Sequence, residues 1–304
     1  MIPFLRYKKI YLIIGSITVI VSLILIFKFG LKPAIDFTGG SIVDVQVCTK
    51  EETECKLEEF KQAIVAKYNE KSIEGVIAQI NSENTVTVKS KEIDQTTWTD
   101  IKSTLTTDYP TMVENGFETI GPTLGQELVR KTTYAIILAS LGLLIYIGSR
   151  FKGRLYGITA VVAMIHDVLV ILAAFAVFGK LYGVEVDVMF VTAALTTLAF
   201  SVHDTIVLFD RIRETLRRSP NDDFEHIANH SINATMIRSL STTLAIIFVL
   251  VSLLLLGGEN VRWFVVALLV GTITGVYSSP FIATPLVVIL KQRQSKKSFA
   301  NKTK

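Results

Sequence analysis

The chain has 304 residues, of which 50% are hydrophobic and only 19% are charged, and its mean hydropathy is +0.47. The formal net charge is +4. Because the basic excess lies beside long apolar runs, it requires no nucleic-acid partner and suits the anionic headgroups of membrane lipid. This composition argues against a water-soluble protein and indicates a membrane protein.

Six apolar runs are each near the roughly 20 residues that cross about 30 Å of hydrocarbon, so we predict six transmembrane helices in an α-helical polytopic protein. The runs are Ile10–Phe27, Thr132–Ile147, Leu155–Phe178, Val188–Phe209, Ser239–Gly258 and Trp263–Leu290. The first run lacks a small-x-small cleavage site, which favours an uncleaved span over a signal peptide. The last run contains prolines and glycines, which predict a kinked or tilted helix.

Residues 30–131 lie between the first two runs and have a mixed pattern that predicts a small α+β domain. We expect strands at Ser41–Val47, Gly75–Ile80, Thr85–Lys89 and Met112–Ile120, a turn at Asn81–Asn84, and helices at Glu58–Tyr68 and Thr97–Leu105. The order β-α-β-β-α-β is ferredoxin-like. The stretch has no metal cluster, catalytic triad or phosphate loop, so we interpret it as a structural or protein-binding module.

Cys48 and Cys55 lie in the polar loop after the first predicted strand. In an oxidising compartment this pair predicts a disulfide bond that closes the loop, and two free thiols are the alternative. Two cysteines without neighbouring histidines make a poor zinc site. We expect no metal and no cofactor.

Asp204 interrupts the fourth apolar run. A carboxylate at membrane depth costs several kcal/mol unless it is paired, protonated or solvated, so it usually marks a transport function. At 1.5 Å per residue, Asp204 lies about 24 Å and Arg238 about 27 Å from the same membrane boundary. We therefore predict an ion pair between Asp204 and Arg238 that protonation would release. A purely structural pair is the alternative.

Three more polar residues lie within the predicted spans. His203 could relay protons or could only hydrogen-bond a neighbouring helix. His166 and Asp167 lie near the middle of the third span, and the sequence shows no basic residue at their depth. Together with Asp204 and Arg238 they are candidates for an ion pathway.

The segment before the fifth span has a helical pattern of its own. Ser219 and Pro220 form a helix start, and apolar residues recur at helical spacing from Phe224 to Met236. This pattern predicts an amphipathic helix on the inner membrane face that leads directly into the fifth span.

The basic residues predict the orientation. Seventeen Lys or Arg fall in residues 1–9, 148–154, 210–238 and 291–304, against two in residues 179–187 and 259–262. Since basic loops stay in the cytoplasm, we expect both termini to be cytoplasmic and the domain of residues 30–131 to be extracytoplasmic. Residues 1–29 would hold the N-terminus and first span, residues 132–290 a five-helix bundle, and residues 291–304 a basic cytoplasmic tail.

Five strings at matching topological positions resemble SecF, a family of subunits of the bacterial and archaeal Sec protein-export machinery. They are LKPAIDFTGGSIVDV, GPTLGQEL, SVHDTIVLFDRIRE, SINATMIRSLSTTL and GVYSSPFIATPL, which begin at residues 31, 121, 201, 231 and 275. The resemblance covers nearly the whole chain. Each string alone is weak, but five in the right order around six spans are strong.

This resemblance implies one half of a resistance-nodulation-division transporter that works with a similar six-span subunit, SecD. The pair would use the proton or sodium gradient to promote late steps of preprotein export, after the SecA motor and the SecYEG channel. Small residues in the fourth to sixth spans would then face SecD. These small residues are Ala193, Ala194, Gly271 and Gly275.

The resemblance also implies roles for individual residues. The family's ion-pathway aspartate falls on Asp204, its arginine at the start of the fifth span on Arg238, and its HD pair on His166 and Asp167, while His203 replaces the family's usual asparagine. The remaining motif residues are Asp36, Gly39, Gly40, Gly121, Gly125, Asp210, Arg211 and Arg213.

Two other function classes remain open at this point. A half-transporter that exports lipids or small molecules would need outer domains of some 300 residues, and this chain has about 100. A passive scaffold of the translocon would move no ions, and the shared depth of Asp204 and Arg238 argues against it. No enzyme hypothesis remains, because the sequence has no nucleophile–base pair, metal set or nucleotide loop outside the spans.

Overall fold

The computed structural model describes residues 2–48, 55–80, 84–150 and 154–302. The chain divides into two compact units, Pro33–Thr133 on the one hand and Met1–Lys32 with Tyr134–Lys304 on the other. We call them the sheet unit and the helical unit. The sequence placed the boundaries of the sheet unit two or three residues earlier, at 30 and 131.

Ten α-helices and four strands are present among the described residues. The helices are α1 Lys8–Phe29, α2 Ile35–Thr38, α3 Leu57–Glu70, α4 Gln95–Asp108, α5 Pro122–Arg150, α6 Arg154–Tyr182, α7 Val188–Arg218, α8 Phe224–Leu256, α9 Glu259–Ser278 and α10 Thr284–Lys302. The strands are β1 Gly40–Gln46, β2 Ile77–Ile80, β3 Thr85–Ser90 and β4 Val113–Ile120.

Six helical stretches of the described chain are long and apolar enough to cross a membrane, which confirms the predicted number of spans. A short 3-10 turn, Phe4–Tyr7, precedes α1 and continues into the first span. The α6, α7 and α9–α10 helices bury the largest shares of their apolar windows, whereas α1, α5 and α8 leave most of theirs exposed. The centre of the helical unit is therefore formed by α6, α7 and α9–α10.

The fifth span begins earlier than its apolar run, because α8 is one unbroken helix from Phe224 to Leu256. The predicted helix before the span is therefore present and leads directly into it, as expected, and its position on the inner membrane face stays a prediction. Its apolar residues Ile227 and Ile232 are buried in a cluster with Phe209 and Ile212 of α7. Packing against α7 thus holds the first turns of α8 in line with the rest of the helix.

The sixth span contains the irregularity that its prolines predicted. A π-helical turn, Ser279–Ala283, separates α9 from α10. Pro280 has no backbone N–H to donate, and the backbone N–H and the hydroxyl of Thr284 both donate to the carbonyl oxygen of Ser279. Turns of this kind occur frequently at functional sites.

The sheet unit is a ferredoxin-like α+β domain, as predicted. Its four strands are antiparallel in the order β2-β3-β1-β4. The core joins Val43 and Val88 of the sheet with Phe60 of α3 and Trp98 of α4. Of the predicted turn between β2 and β3, residues 81–83 lie outside the described residues.

The sulfur atoms of Cys48 and Cys55 are bonded to each other. The bond connects the chain just after β1 to the chain just before α3. Residues 49–54, which complete this loop, lie outside the described residues.

Candidate functional site

Asp204 lies near the midpoint of α7, a helix of 31 residues. The helix begins at Asp187, whose carboxylate accepts the backbone N–H of Phe190 at 2.6 Å and so satisfies one of the free donors of the first turn. The neighbours of Asp204 on the next turns, Ser201 and Leu208, are buried, whereas Asp204 itself is half-buried. Its carboxylate is thus partly open to its surroundings at the middle of a membrane span.

The contact of Asp204 with α8 is made by a serine and not by the predicted arginine. The Ser239 hydroxyl donates to Oδ1 of Asp204 at 2.7 Å. Within the described residues Asp204 forms no ion pair with Arg238, so that prediction is wrong for this conformation. Residues 238 and 239 point about 100° apart on a helix. When Ser239 faces Asp204, Arg238 is turned aside.

Two cavities are lined by residues of both α7 and α8; α9 also lines the narrow one, and Arg150 of α5 also lines the wide one. The narrow cavity, of about 150 Å³, is lined by His203, Asp204 and Ser239, among others. The wide cavity, of about 820 Å³, is lined mainly by charged residues at the end of α7, with Arg238 of α8. Both cavities are lined by Val207 and Arg238. The two cavities are therefore neighbours, and Arg238 contributes to the wall of each.

His166 and Asp167 of α6 form a second polar cluster, together with residues of α7 and α9. Both side chains are buried, and Nδ1 of His166 lies 2.9 Å from Oδ1 of Asp167. The hydroxyls of Ser201 and Ser278 both donate to Oδ2 of Asp167, the second at 2.8 Å. The Tyr277 hydroxyl lies 3.4 Å from Nε2 of His166. The cluster thus joins α6, α7 and α9.

The structure brings the sequence-predicted residues into two groups. Asp204, His203 and Arg238 share the narrow cavity, and His166 and Asp167 share the buried cluster. The sequence reasoning missed Ser239, Ser201, Ser278 and Tyr277, which supply the hydrogen-bond partners. One signal was available: the polar residues at positions 277–279 interrupt an apolar span just before Pro280.

The charged motif residues at the end of α7 form ion pairs. Asp210 pairs with Arg150 at the end of α5 and with Arg213 at 3.4 Å. Arg211 pairs with Glu214 at 2.8 Å. The motif therefore links the ends of α5 and α7.

The remaining motif residues come together inside the sheet unit. They are Asp36, Gly39, Gly40, Gly121 and Gly125. Gly40 has a φ of +133°, and a Cβ atom there would lie 2.6 Å from the carbonyl oxygen of Ser90. A Cβ atom at Gly125 would lie 3.1 Å from the backbone nitrogen of Gly39. Glycine is required here because two backbone segments approach each other closely.

Two of the small residues predicted to face a partner, Gly271 and Gly275, pack helices of this chain together. A Cβ atom at Gly271 would lie 2.5 Å from the side chain of Thr197, and one at Gly275 would lie 3.0 Å from that of Ser201. Ala193 is fully buried. The glycines thus permit the close crossing of α9 and α7 within this chain, and their part in a subunit contact stays a prediction.

Comparison with known proteins agrees with this architecture. The sequence profile of the family "Protein export membrane protein SecD/SecF, C-terminal" matches residues 100–293. The profile "SecD/SecF GG Motif" matches residues 24–47, which include Gly39 and Gly40. The matched segments therefore contain both polar groups described above.

Whole-chain relatives give the same result. "Protein translocase subunit SecF" of Thermobaculum terrenum is 38% identical over 95% of this chain and 93% of its own length. The protein of the same name from Anaerolinea thermophila is 37% identical over 95% of this chain and 94% of its own length. The crystal structure of SecDF from Thermus thermophilus, a translocon-associated membrane protein, has a TM-score of 0.81 and 26% identity over 95% of this chain and 38% of that chain. This chain therefore belongs to the SecD/SecF family of protein-export membrane proteins, as one of its SecF members.

Proposed function

We propose that the chain is a non-enzymatic subunit of the Sec translocase that couples the proton or sodium gradient to late steps of preprotein export. The observation that carries the proposal is the half-buried carboxylate of Asp204 at the middle of α7, which lines the narrow cavity and accepts a hydrogen bond from Ser239 of α8. A carboxylate that is neither fully buried nor ion-paired can gain and lose a cation without disrupting the helix packing.

The coupling step follows from the two cavities. A cation reaches Asp204 through the wide cavity, past Arg238, and neutralises the carboxylate. When the cation leaves, the charged carboxylate attracts the guanidinium of Arg238, which lines the narrow cavity as well. The exchange of Ser239 for Arg238 as the partner of Asp204 requires α8 to turn or shift relative to α7. The two charge states of Asp204 thus favour two helix arrangements.

The partners and the location form part of the same proposal. A relative from Bacillus subtilis is named "Protein translocase subunit SecDF", and this chain spans 39% of it. This supports a separate SecD-like chain as the partner here. The SecYEG channel, the SecA motor, a translocating preprotein and membrane lipid complete the assembly. We place the protein in the cytoplasmic membrane with both termini in the cytoplasm and the sheet unit outside, on the distribution of basic residues.

The test is export of a model preprotein into vesicles that contain the translocase, with and without an imposed proton or sodium gradient. Asp204→Asn should assemble normally but lose the gradient-dependent part of export, since it keeps the shape and removes the charge. Asp222→Asn, an exposed acid in the turn between α7 and α8, is the matched control and should respond fully.

Arg238 provides the second arm of the test. Arg238→Ala should also lose the gradient response, because the charged carboxylate then has no cation to attract. Arg238→Lys should recover only part of it, because an ammonium group replaces the forked guanidinium poorly. A full gradient response in Asp204→Asn would exclude the coupling role and leave a passive translocon scaffold as the explanation.

A further inference from the structure

The wide cavity contains more arginines than ion coupling at Asp204 requires. Its lining contains six arginines, from the end of α5, the last turns of α7 and the first half of α8: Arg150, Arg211, Arg213, Arg217, Arg218 and Arg238. We call it the arginine cavity. A single arginine beside the narrow cavity would be enough to attract Asp204.

The charges that line the arginine cavity do not balance among the described residues. Two carboxylates, Asp210 and Glu214, also line it, and each is shared by two arginines. Four positive charges remain uncompensated in the lining. Arg217 and Arg238 have no carboxylate partner within the part of the chain that the structure describes. Like charges at this density repel one another, so an anion in the cavity would stabilise the arrangement.

On two of these three helices, α5 and α8, exposed apolar residues stand close in sequence to the arginines of the cavity. One turn before Arg150 on α5, the side chain of Tyr146 is exposed, and Ile145 is 71% exposed. Next to Arg238 on α8, Ile237 is 77% exposed, and exposed apolar residues continue along the helix to Phe248. The charged end of each helix is thus continuous with an apolar face.

We propose that the arginine cavity binds the headgroup of an anionic phospholipid, whose acyl chains lie along the exposed apolar faces of α5 and α8. The phosphate offers several acceptor oxygens to guanidinium groups, and basic pockets between membrane helices bind such headgroups elsewhere. A soluble anion would use the arginines but not the apolar faces. An acidic segment of a protein would likewise leave the apolar faces without a ligand that matches them.

The test is titration of the purified full chain, in detergent, with phosphatidylglycerol, and counting of bound lipid by native mass spectrometry. We expect phosphatidylglycerol to bind more tightly than phosphatidylcholine. Arg217→Gln should weaken its binding about five-fold, and Arg150→Gln with Arg217→Gln about 25-fold, from the effect of one basic residue near an anionic lipid surface. Arg154→Gln should bind as the unmodified chain does, because Arg154 is an exposed arginine of α6 that does not line the cavity.

The single variant Arg217→Gln tests the proposal without removing an ion pair that could be needed for folding. Arg150 pairs with Asp210, but Arg217 has no ion pair in the described residues, so its replacement leaves the packing intact. Equal binding of phosphatidylglycerol to Arg217→Gln and to the unmodified chain would overturn the proposal, as would equal binding of the two lipids. Displacement of the bound lipid by glycerol phosphate, or by an oligoglutamate peptide, at equal concentration would assign the cavity to a soluble anion or to an acidic protein segment instead.

Discussion

Two aspartates at the middle of neighbouring helices are held in different ways. Asp167 is buried and has hydrogen-bond partners on three helices, from His166, Ser201 and Ser278. Asp204 is half-buried and receives one hydrogen bond, from Ser239. Because a fully satisfied buried group is fixed in place, the arrangement of Asp167 suits a structural role, and that of Asp204 suits a change of charge.

This difference predicts unequal effects on stability. Asp167→Ala should lower the free energy of unfolding by about 3 kcal/mol, because it leaves three buried polar groups without their common partner. Asp204→Ala is the matched control and should change stability much less, because it removes one hydrogen bond, from Ser239, to a half-buried carboxylate. The measurement is the apparent melting temperature of the purified full chain in detergent. Equal shifts for both variants would contradict the structural role of Asp167.

At the scale of helices, the crossing of α7 and α9 depends on glycine. Gly271→Leu should destabilise the purified chain by about 1–3 kcal/mol, the usual cost of overpacking, because its Cβ atom alone would lie 2.5 Å from Thr197. Gly142→Leu in α5 is the control, since no atom lies within 4 Å of a Cβ atom at that position.

The same two variants separate a contact within the chain from a contact with a partner. The melting temperature should fall for Gly271→Leu in the absence of any partner and should hold for Gly142→Leu. If Gly271→Leu left the chain as stable as before and abolished only its association with a SecD-like protein, the glycine would belong to the subunit contact after all.

Much of the secondary structure could be predicted from the sequence, because the buried apolar residues of a strand or helix recur at a regular spacing along the chain. The strand from Ser41 shows alternation and was placed within one residue, and the six spans were recognised by the length of their apolar runs. Helix ends were harder: α7 continues to Arg218 because its charged last turns form ion pairs on the helix surface, and hydropathy does not register such turns. The join of two predicted elements into α8 depended on packing against Phe209, which is a tertiary contact.

The site was predicted as a set of residues but not as a set of contacts. Counting along two helices gave the shared depth of Asp204 and Arg238, and the structure places both beside one cavity. Depth along an axis says nothing of the direction in which a side chain points. The serine at position 239 therefore took the place expected for its neighbour, and Asp167 gained partners from helices that follow it by 34 and 111 residues.

At the scale of the whole molecule, the distribution of basic residues predicts which end of the bundle faces the cytoplasm. The arginine cavity, the turn between α7 and α8 and the end of α5 all lie at one end of the spans, and basic residues are retained on the cytoplasmic side. We therefore expect this end to be cytoplasmic and the sheet unit to lie on the other side of the membrane. The prediction can be tested with single cysteines at exposed positions that the structure defines.

Asn221→Cys, in the turn between α7 and α8, and Glu70→Cys, at the end of α3, are both exposed. Each is introduced into a chain with Cys48 and Cys55 replaced by serine, in cells whose outer membrane, where present, has been made permeable. A maleimide that cannot cross the cytoplasmic membrane should then label residue 70. It should label residue 221 only after the cytoplasmic membrane is opened, because six spans place the two positions on opposite sides. Labelling of both positions in intact cells would contradict the six-span arrangement, and labelling of residue 221 alone would reverse the orientation and remove the basis for a cytoplasmic lipid site.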